Sequence, residues 1–105
     1  MTTFDEREAG FEAKFAHDAD IEFRVIARAN KLLGRWAAAK LGLSGDAVED
    51  YAREVVHTEF IAPGHEDVVG KVTTDLAGHG VTSADVHVAH AAALAEARDQ
   101  LLKAG

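Results

Sequence analysis

The stretch RVIARANKLLGRWAAAK, residues 24–40, carries five basic side chains and no acidic one, in a chain of net charge −7. No proline interrupts it, and its apolar residues recur at helical spacing, which predicts an α-helix. At about 100° per residue, its first four bases lie within roughly 60° of one another on one helix face. We call this row the basic stripe: Arg24, Arg28, Lys31 and Arg35.

The same helical pattern extends in both directions from this stretch. Phe4, Phe11 and Phe15 share a face that Ala19, Phe23, Ile26 and Leu33 continue, which predicts either one helix over about 4–41 or two helices joined near 17–20. Thr3 and Glu6 have the spacing of a capping box.

Three further helices are predicted downstream. One begins at a capping box of Asp46 and Glu49, has Phe60 on its apolar face and runs to about residue 61, where Ala62-Pro63-Gly64 ends it. A short helix spans about 66–77, and the last begins at a box of Thr82 and Asp85 and runs to about residue 103. The expected fold is therefore all-α, a four-helix bundle with short connections.

Composition excludes several classes of protein. There is no cysteine among the 105 residues, so disulfides and thiolate metal sites are excluded. The acidic start lacks the apolar core of a signal peptide, and no apolar run approaches the ~20 residues of a membrane span. The acidic pI of about 5.2 disfavours nucleic acid as a partner. We expect a small cytoplasmic domain without direct membrane insertion.

The sequence contains no recognisable catalytic motif. It has no GxSxG elbow, HExxH pair or P-loop, and we expect a protein that is not an enzyme. His87 and His90 have i, i+3 spacing, but His79 or Glu66 would have to complete a metal site, and we predict none. Trp36 points roughly 100° away from Arg35 on the helix, which favours core packing over stacking on a nucleotide base.

Charge is segregated within the first 45 residues. Residues 1–20 hold six acids and two bases, whereas residues 21–45 hold one acid and five bases. Four bases on one face without intervening acids favour an anionic partner, either an acidic protein surface or a nucleotide phosphate. A solvated face is the ordinary alternative.

The N-terminal stretch also has two interpretations. A short, glycine-containing helix with three phenylalanines on one face would be only marginally stable by itself in water. It gains stability either by packing on its own bundle or by entering a groove on a partner.

The strings MTTFDEREAGFEAKFAHDADIEF, RANKLLGRWAAAKLGL and YAREVV resemble the zeta-subunit inhibitor family of the bacterial F1-ATPase. The resemblance extends over nearly the whole chain. It implies a four-helix bundle over 20–105 and an inhibitory segment over 1–19, mobile in the free protein. The segment is expected to dock as a helix at a catalytic interface of the membrane-bound F1Fo-ATPase and block ATP hydrolysis.

The resemblance also implies roles for particular residues. The partner-binding residues of the inhibitory segment are expected to be Phe4, Arg7, Glu8, Phe11, Glu12, Lys14 and Phe15. Family proteins are linked to binding ADP or ATP as a regulatory ligand, without a motif that assigns the site here, and no cofactor is required. The basic stripe is therefore a candidate either for an acidic F1 surface or for nucleotide phosphates. The alternative function is a small ADP/ATP-binding sensor that recruits another protein.

Overall fold

The computed structural model describes residues 2–61 and 65–104, with side chains described for 19–61 and 66–102. Four α-helices make up the fold: α1 over Thr2–Lys40, α2 over Asp46–Ile61, α3 over His65–Asp75 and α4 over Ser83–Ala104. The all-α four-helix prediction is confirmed. Of the two possibilities for the first segment, one continuous helix is present, while the side chains of its predicted capping box lie outside the described set.

The turn after α1 depends on a glycine with a positive φ angle. Gly42 has a φ of +79°, which suits glycine because a Cβ would be strained there. The Leu43 N–H donates to the Ala38 carbonyl at 3.0 Å and the Gly42 N–H donates to the Ala39 carbonyl at 3.1 Å. This pair of bonds is a Schellman motif, and it ends α1 so that α2 can return antiparallel to it.

The two predicted downstream capping boxes have different outcomes. At α4, the Thr82 N–H donates to Asp85 Oδ2 at 3.0 Å and the Asp85 N–H donates to Thr82 Oγ1 at 3.1 Å, as predicted. At α2, the predicted role of Glu49 is wrong. Both Glu49 carboxylate oxygens accept from the Arg35 guanidinium, a partner on another helix that sequence spacing does not reveal.

The core lies between one face of α1 and the inner faces of the other three helices. Val25, Ala29 and Leu33 of α1 are fully buried. They share a cluster with residues from α2, α3 and α4 and with Leu76, which directly follows α3. The helical members are Tyr51, Val55, Val68, Val72, Val86, Ala93 and Ala97. Phe23 and Phe60, both expected on inward faces, are instead 53% and 58% exposed. They contact each other at the surface, with ring centroids 5.6 Å apart.

Side-chain contacts show that α1 runs antiparallel to both α2 and α4. Phe23 meets Phe60 near the end of α2, and Arg98 Nη2 lies 2.9 Å from a Glu22 carboxylate oxygen near the end of α4. Both neighbours therefore end at about the level of Glu22. The α1 helix continues from there to Thr2, roughly 30 Å further at 1.5 Å per residue, in a molecule 64 Å long. The boundary between segments 1–19 and 20–105 stays a prediction.

Candidate functional site

The basic stripe lies beside an open cleft of about 680 Å³ between α1, α2 and α4. Arg24, Arg28 and Lys31 line it, whereas Arg35 does not. The other lining residues come from all three helices: Phe23, Ala27, Glu49, Arg53, Val56 and Leu101. Helical spacing thus places three of the four stripe residues in one concave site.

The stripe is partly neutralised by residues that lie outside its own stretch of sequence. Arg24 Nε is 3.2 Å from Asp20 Oδ2, one helical turn earlier. Arg35 donates two hydrogen bonds to Glu49, at 3.0 and 3.3 Å. Arg28 Nη1 donates at 2.9 Å to the neutral amide oxygen of Gln100, which leaves its charge unbalanced. Among the described side chains, no carboxylate lies within ion-pair distance of the Lys31 ammonium.

Glu49 is the carboxylate most strongly affected by the stripe. The hydrogen bond from Arg35, together with the positive charges of Arg35, Lys31 and Arg53, lowers the Glu49 pKa below its ordinary value. Glu49 therefore stays ionised at neutral pH. One acid surrounded by several bases leaves the cleft positive overall.

Apolar side chains form the other part of the cleft. Phe23 and Val56 lie on α1 and α2, and Leu101 on α4 closes the third side. Phe60 extends this wall through its ring contact with Phe23. A cleft with a positive rim and an aromatic wall has the chemistry to hold an anion that also carries an apolar or planar group.

Sequence analysis missed the contribution of α2. Glu49, Arg53, Val56 and Phe60 follow i, i+4, i+7, i+11 spacing, so they share one face of α2. That spacing matches the basic stripe on α1 and could have indicated a paired face. The antiparallel packing of the two helices then joins the faces into one site.

Trp36 lies outside this cleft. It is partly buried and packs against the core, as predicted. It also lines a smaller cleft of about 420 Å³ with Val81, Val88 and Ala89, and the Lys40 ammonium lies 5.7 Å from its ring centroid.

The two histidines with metal-ligand spacing, His87 and His90, have different environments. His87 is exposed, with Nε2 3.5 Å from Glu66 Oε1 and Nδ1 2.9 Å from the Ser83 carbonyl oxygen. His90 is buried, with 7% of its surface exposed. Among the side chains of residues 19–61 and 66–102, no three from His, Cys, Asp or Glu are placed to hold a metal ion.

The predicted partner-binding residues all fall on the part of α1 that continues beyond the bundle. Their side chains lie outside the described set, so their roles stay a prediction: Phe4, Arg7, Glu8, Phe11, Glu12, Lys14 and Phe15. Among the described residues, none of the helices combines the length and apolar character that crossing a bilayer requires.

Comparison with known proteins identifies the family. A family model described as ATPase inhibitor subunit zeta matches residues 1–100. A protein solved by solution NMR is 42% identical, with 81% of this chain and 99% of that chain covered and a TM-score of 0.73. Comparison with curated protein sequences finds no significant match. Because the family model spans almost the entire sequence, this chain belongs to the ATPase inhibitor subunit zeta family.

Proposed function

We propose that this protein inhibits ATP hydrolysis by F1-ATPase by inserting the N-terminal part of α1 at a catalytic subunit interface. The family assignment supports an inhibitory, regulatory role toward an ATPase complex. The proposal adds the segment that carries the inhibition, residues 1–19, which we call the arm. It also adds a mode of binding, a helix placed in a groove between subunits.

The continuation of α1 past its neighbours is the observation that carries this proposal. The ends of α2 and α4 lie near Glu22, yet α1 extends to Thr2. A helix that projects beyond its bundle can enter a groove without any rearrangement of the bundle. In such a groove, Phe4, Phe11 and Phe15 would be buried anchors, and the charged residues around them would set the register.

Removal of the arm tests the proposal directly. A variant beginning at Asp20 is expected to lose inhibition of F1-ATPase hydrolysis while keeping its bundle, because the described core residues all lie at or after Val25. The measurement is steady-state ATP hydrolysis by purified F1 over a titration of each variant. Circular dichroism and urea unfolding verify that the truncated chain is folded. Full inhibition by the truncated chain would contradict the proposal.

A point-mutant pair refines the test without shortening the chain. The double substitution Phe11→Ala/Phe15→Ala removes two anchors and is expected to weaken inhibition at least about tenfold. Val88→Ala is the matched control, since it removes a 71% exposed apolar side chain from α4 of the bundle. Equal potency of the anchor variant and the control would show that the anchors are not used.

The basic cleft favours a second candidate function, binding of ADP or ATP as a regulatory ligand. Arg28, Lys31 and Arg53 line the cleft where phosphate oxygens would bind, and the Phe23 ring offers a surface for the adenine base. Arg53 also pairs with Asp50 at 3.3 Å, a contact that a phosphate would have to share or replace. A titration of isotope-labelled chain with ADP should shift the amide signals of the residues that line the cleft. Arg28→Gln/Lys31→Gln should weaken binding, whereas Lys40→Gln/Arg98→Gln, with the same charge change, should not. Absence of shifts around the cleft would remove this candidate.

A further inference from the structure

The cleft presents two parallel strips to an incoming helix. On α1, the apolar strip includes Phe23 and Ala27, and the cationic strip includes Arg28 and Lys31. Val56 of α2 also lines the cleft. On the α1 helical wheel, the cationic strip lies about 90° from the mean direction of Phe23 and Ala27, toward increasing angle. A suitable occupant is an amphipathic helix that carries an aromatic row beside an acidic row.

The arm has this composition. Phe4, Phe11 and Phe15 lie within about 40° of one another on the helical wheel. A row of acids follows about 70° further in the same rotational direction: Asp5, Glu8 and Glu12. Residues 1–20 have net charge −4, whereas residues 21–45 have net charge +4. The arm therefore complements the cleft in both charge and apolar pattern.

We propose that the free protein has a second, closed arrangement in which the arm folds back antiparallel to α1 and occupies its own basic cleft. When two helices pack antiparallel, strips offset in the same rotational direction face each other. The acidic row then faces the basic stripe while the aromatic row faces Phe23. This contact between the arm and the cleft lies within one chain, so it is separate from the proposed inhibition of an ATPase and does not depend on it.

The register follows from the chain itself. A hairpin bend at residues 17–20 is within the usual two to five residues that join antiparallel helices. It places Glu12 opposite Arg28, Glu8 opposite Lys31, and Phe15 opposite Phe23. Each facing pair has residue numbers that sum to between 38 and 40, so one register satisfies all three contacts.

Going from the extended to the closed arrangement replaces backbone hydrogen bonds at the bend by apolar and charged contacts in the cleft. In the extended helix, residues 17–20 keep their backbone hydrogen bonds, and the helix backbone of the arm continues beyond the bundle. In the closed hairpin, those bonds are lost at the bend, while the aromatic row covers an apolar surface that includes the exposed Phe23 and Phe60. Paired charges across the cleft would make the closed arrangement sensitive to salt.

Pulsed electron paramagnetic resonance distances distinguish the two arrangements. The chain has no cysteine, so Ala9→Cys/Ala39→Cys carries two spin labels and no others. In the extended helix, the labelled positions are about 45 Å apart, and in the closed hairpin less than about 25 Å. We expect a short-distance population at low salt that decreases as salt is added.

Charge-reversal variants test the pairing. Glu8→Lys/Glu12→Lys and Arg28→Glu/Lys31→Glu should each lower the ratio of closed to extended populations about tenfold, and combining all four should restore it. Asp46→Lys/Asp67→Lys is the matched control for the Glu8→Lys/Glu12→Lys variant, because it makes the same charge change at exposed positions on α2 and α3. Circular dichroism verifies that each variant is folded.

Three outcomes would overturn the proposal. The first is a single distance near 45 Å at low salt. The second is a short distance that persists unchanged in both charge-reversal variants. The third is a short distance that disappears when labelled chain is diluted with unlabelled chain, since that contact would be between two copies. None of these measurements involves an ATPase. A result that overturns the closed arrangement therefore leaves the proposed inhibitory function untouched, and the reverse also holds.

Discussion

Gly34 shows how a single residue determines the distance between two helices. It lies in the middle of α1, where glycine costs about 1 kcal/mol relative to alanine. A Cβ built at this position would lie 2.6 Å from the Ala52 Cα and 3.1 Å from the Ala52 Cβ. The missing side chain therefore lets the α1 and α2 backbones approach closely. This packing brings Arg35 within reach of Glu49 and joins the two faces of the cleft.

Gly34→Ala is expected to destabilise the protein by about 1–3 kcal/mol, because the α2 backbone must move to accommodate the methyl group. Gly70→Ala is the matched control. An added Cβ at Gly70 meets nothing within 4 Å, so this change should stabilise α3 by about 0.5–1 kcal/mol. Urea unfolding of both variants measures the difference, and equal stability of the two would contradict the close-approach argument.

At the scale of elements, polar side-chain contacts join α3 to both α2 and α4. Tyr51 of α2 donates its hydroxyl to Asp75 Oδ2 of α3 at 2.9 Å, and Lys71 Nζ lies 2.9 Å from the same oxygen. The start of α4 is joined to α3 through His87 and Glu66. The hydrogen bond to the Ser83 carbonyl, followed by the contact with Glu66, raises the His87 pKa above 6.5.

The raised His87 pKa predicts a pH-dependent contribution to stability. Because the folded state holds the proton more tightly than the unfolded state, the contribution is fully present below about pH 6.5 and is lost as pH rises through the folded value. The stability difference between the unmodified chain and His87→Gln should therefore decrease from about pH 5.5 to about pH 9. Urea unfolding at each pH measures it. His57→Gln, an exposed histidine on α2, is the control, and an identical pH profile for both variants would refute the assignment.

At the scale of the whole molecule, one core connects all four helices. Buried residues of α1 share a cluster with residues of α2, α3 and α4. The buried residues of α1 among those described lie between Val25 and Ala38, so the bundle is organised around the second half of this helix. The basic cleft and the arm are both positioned by the same helix. Through α1, packing of the core thus sets where the functional surfaces lie.

Leu33→Ala is expected to destabilise the whole bundle by about 2–5 kcal/mol, because Leu33 is fully buried and its truncation leaves a cavity. Leu102→Ala, at a site 65% exposed, should change stability by less than about 0.5 kcal/mol. Unfolding followed by Trp36 fluorescence and by circular dichroism should coincide, since a single core unfolds as one unit. Separate transitions by the two probes would show that the helices do not share one cooperative core.

The sequence by itself determined the helices and most of the inward residues. Apolar periodicity and the Thr82–Asp85 box are local properties of the chain, so they predicted α4 and the hydrogen bonds at its start. The spacing of Arg24, Arg28 and Lys31 likewise predicted one basic face. Helical geometry depends on residues only a few positions apart, and sequence alone is sufficient for it.

Only the tertiary structure decided how these faces meet. Glu49 reads as part of a helix cap in sequence, yet it pairs with Arg35 because α2 packs antiparallel to α1. The sequence pattern predicts Phe23 and Phe60 as core residues, but they lie at the surface, since within the described part of the chain no helix covers them at that end of the bundle. The cleft exists only after three helices pack. Its contacts join residues far apart in the chain, where helical periodicity carries no information.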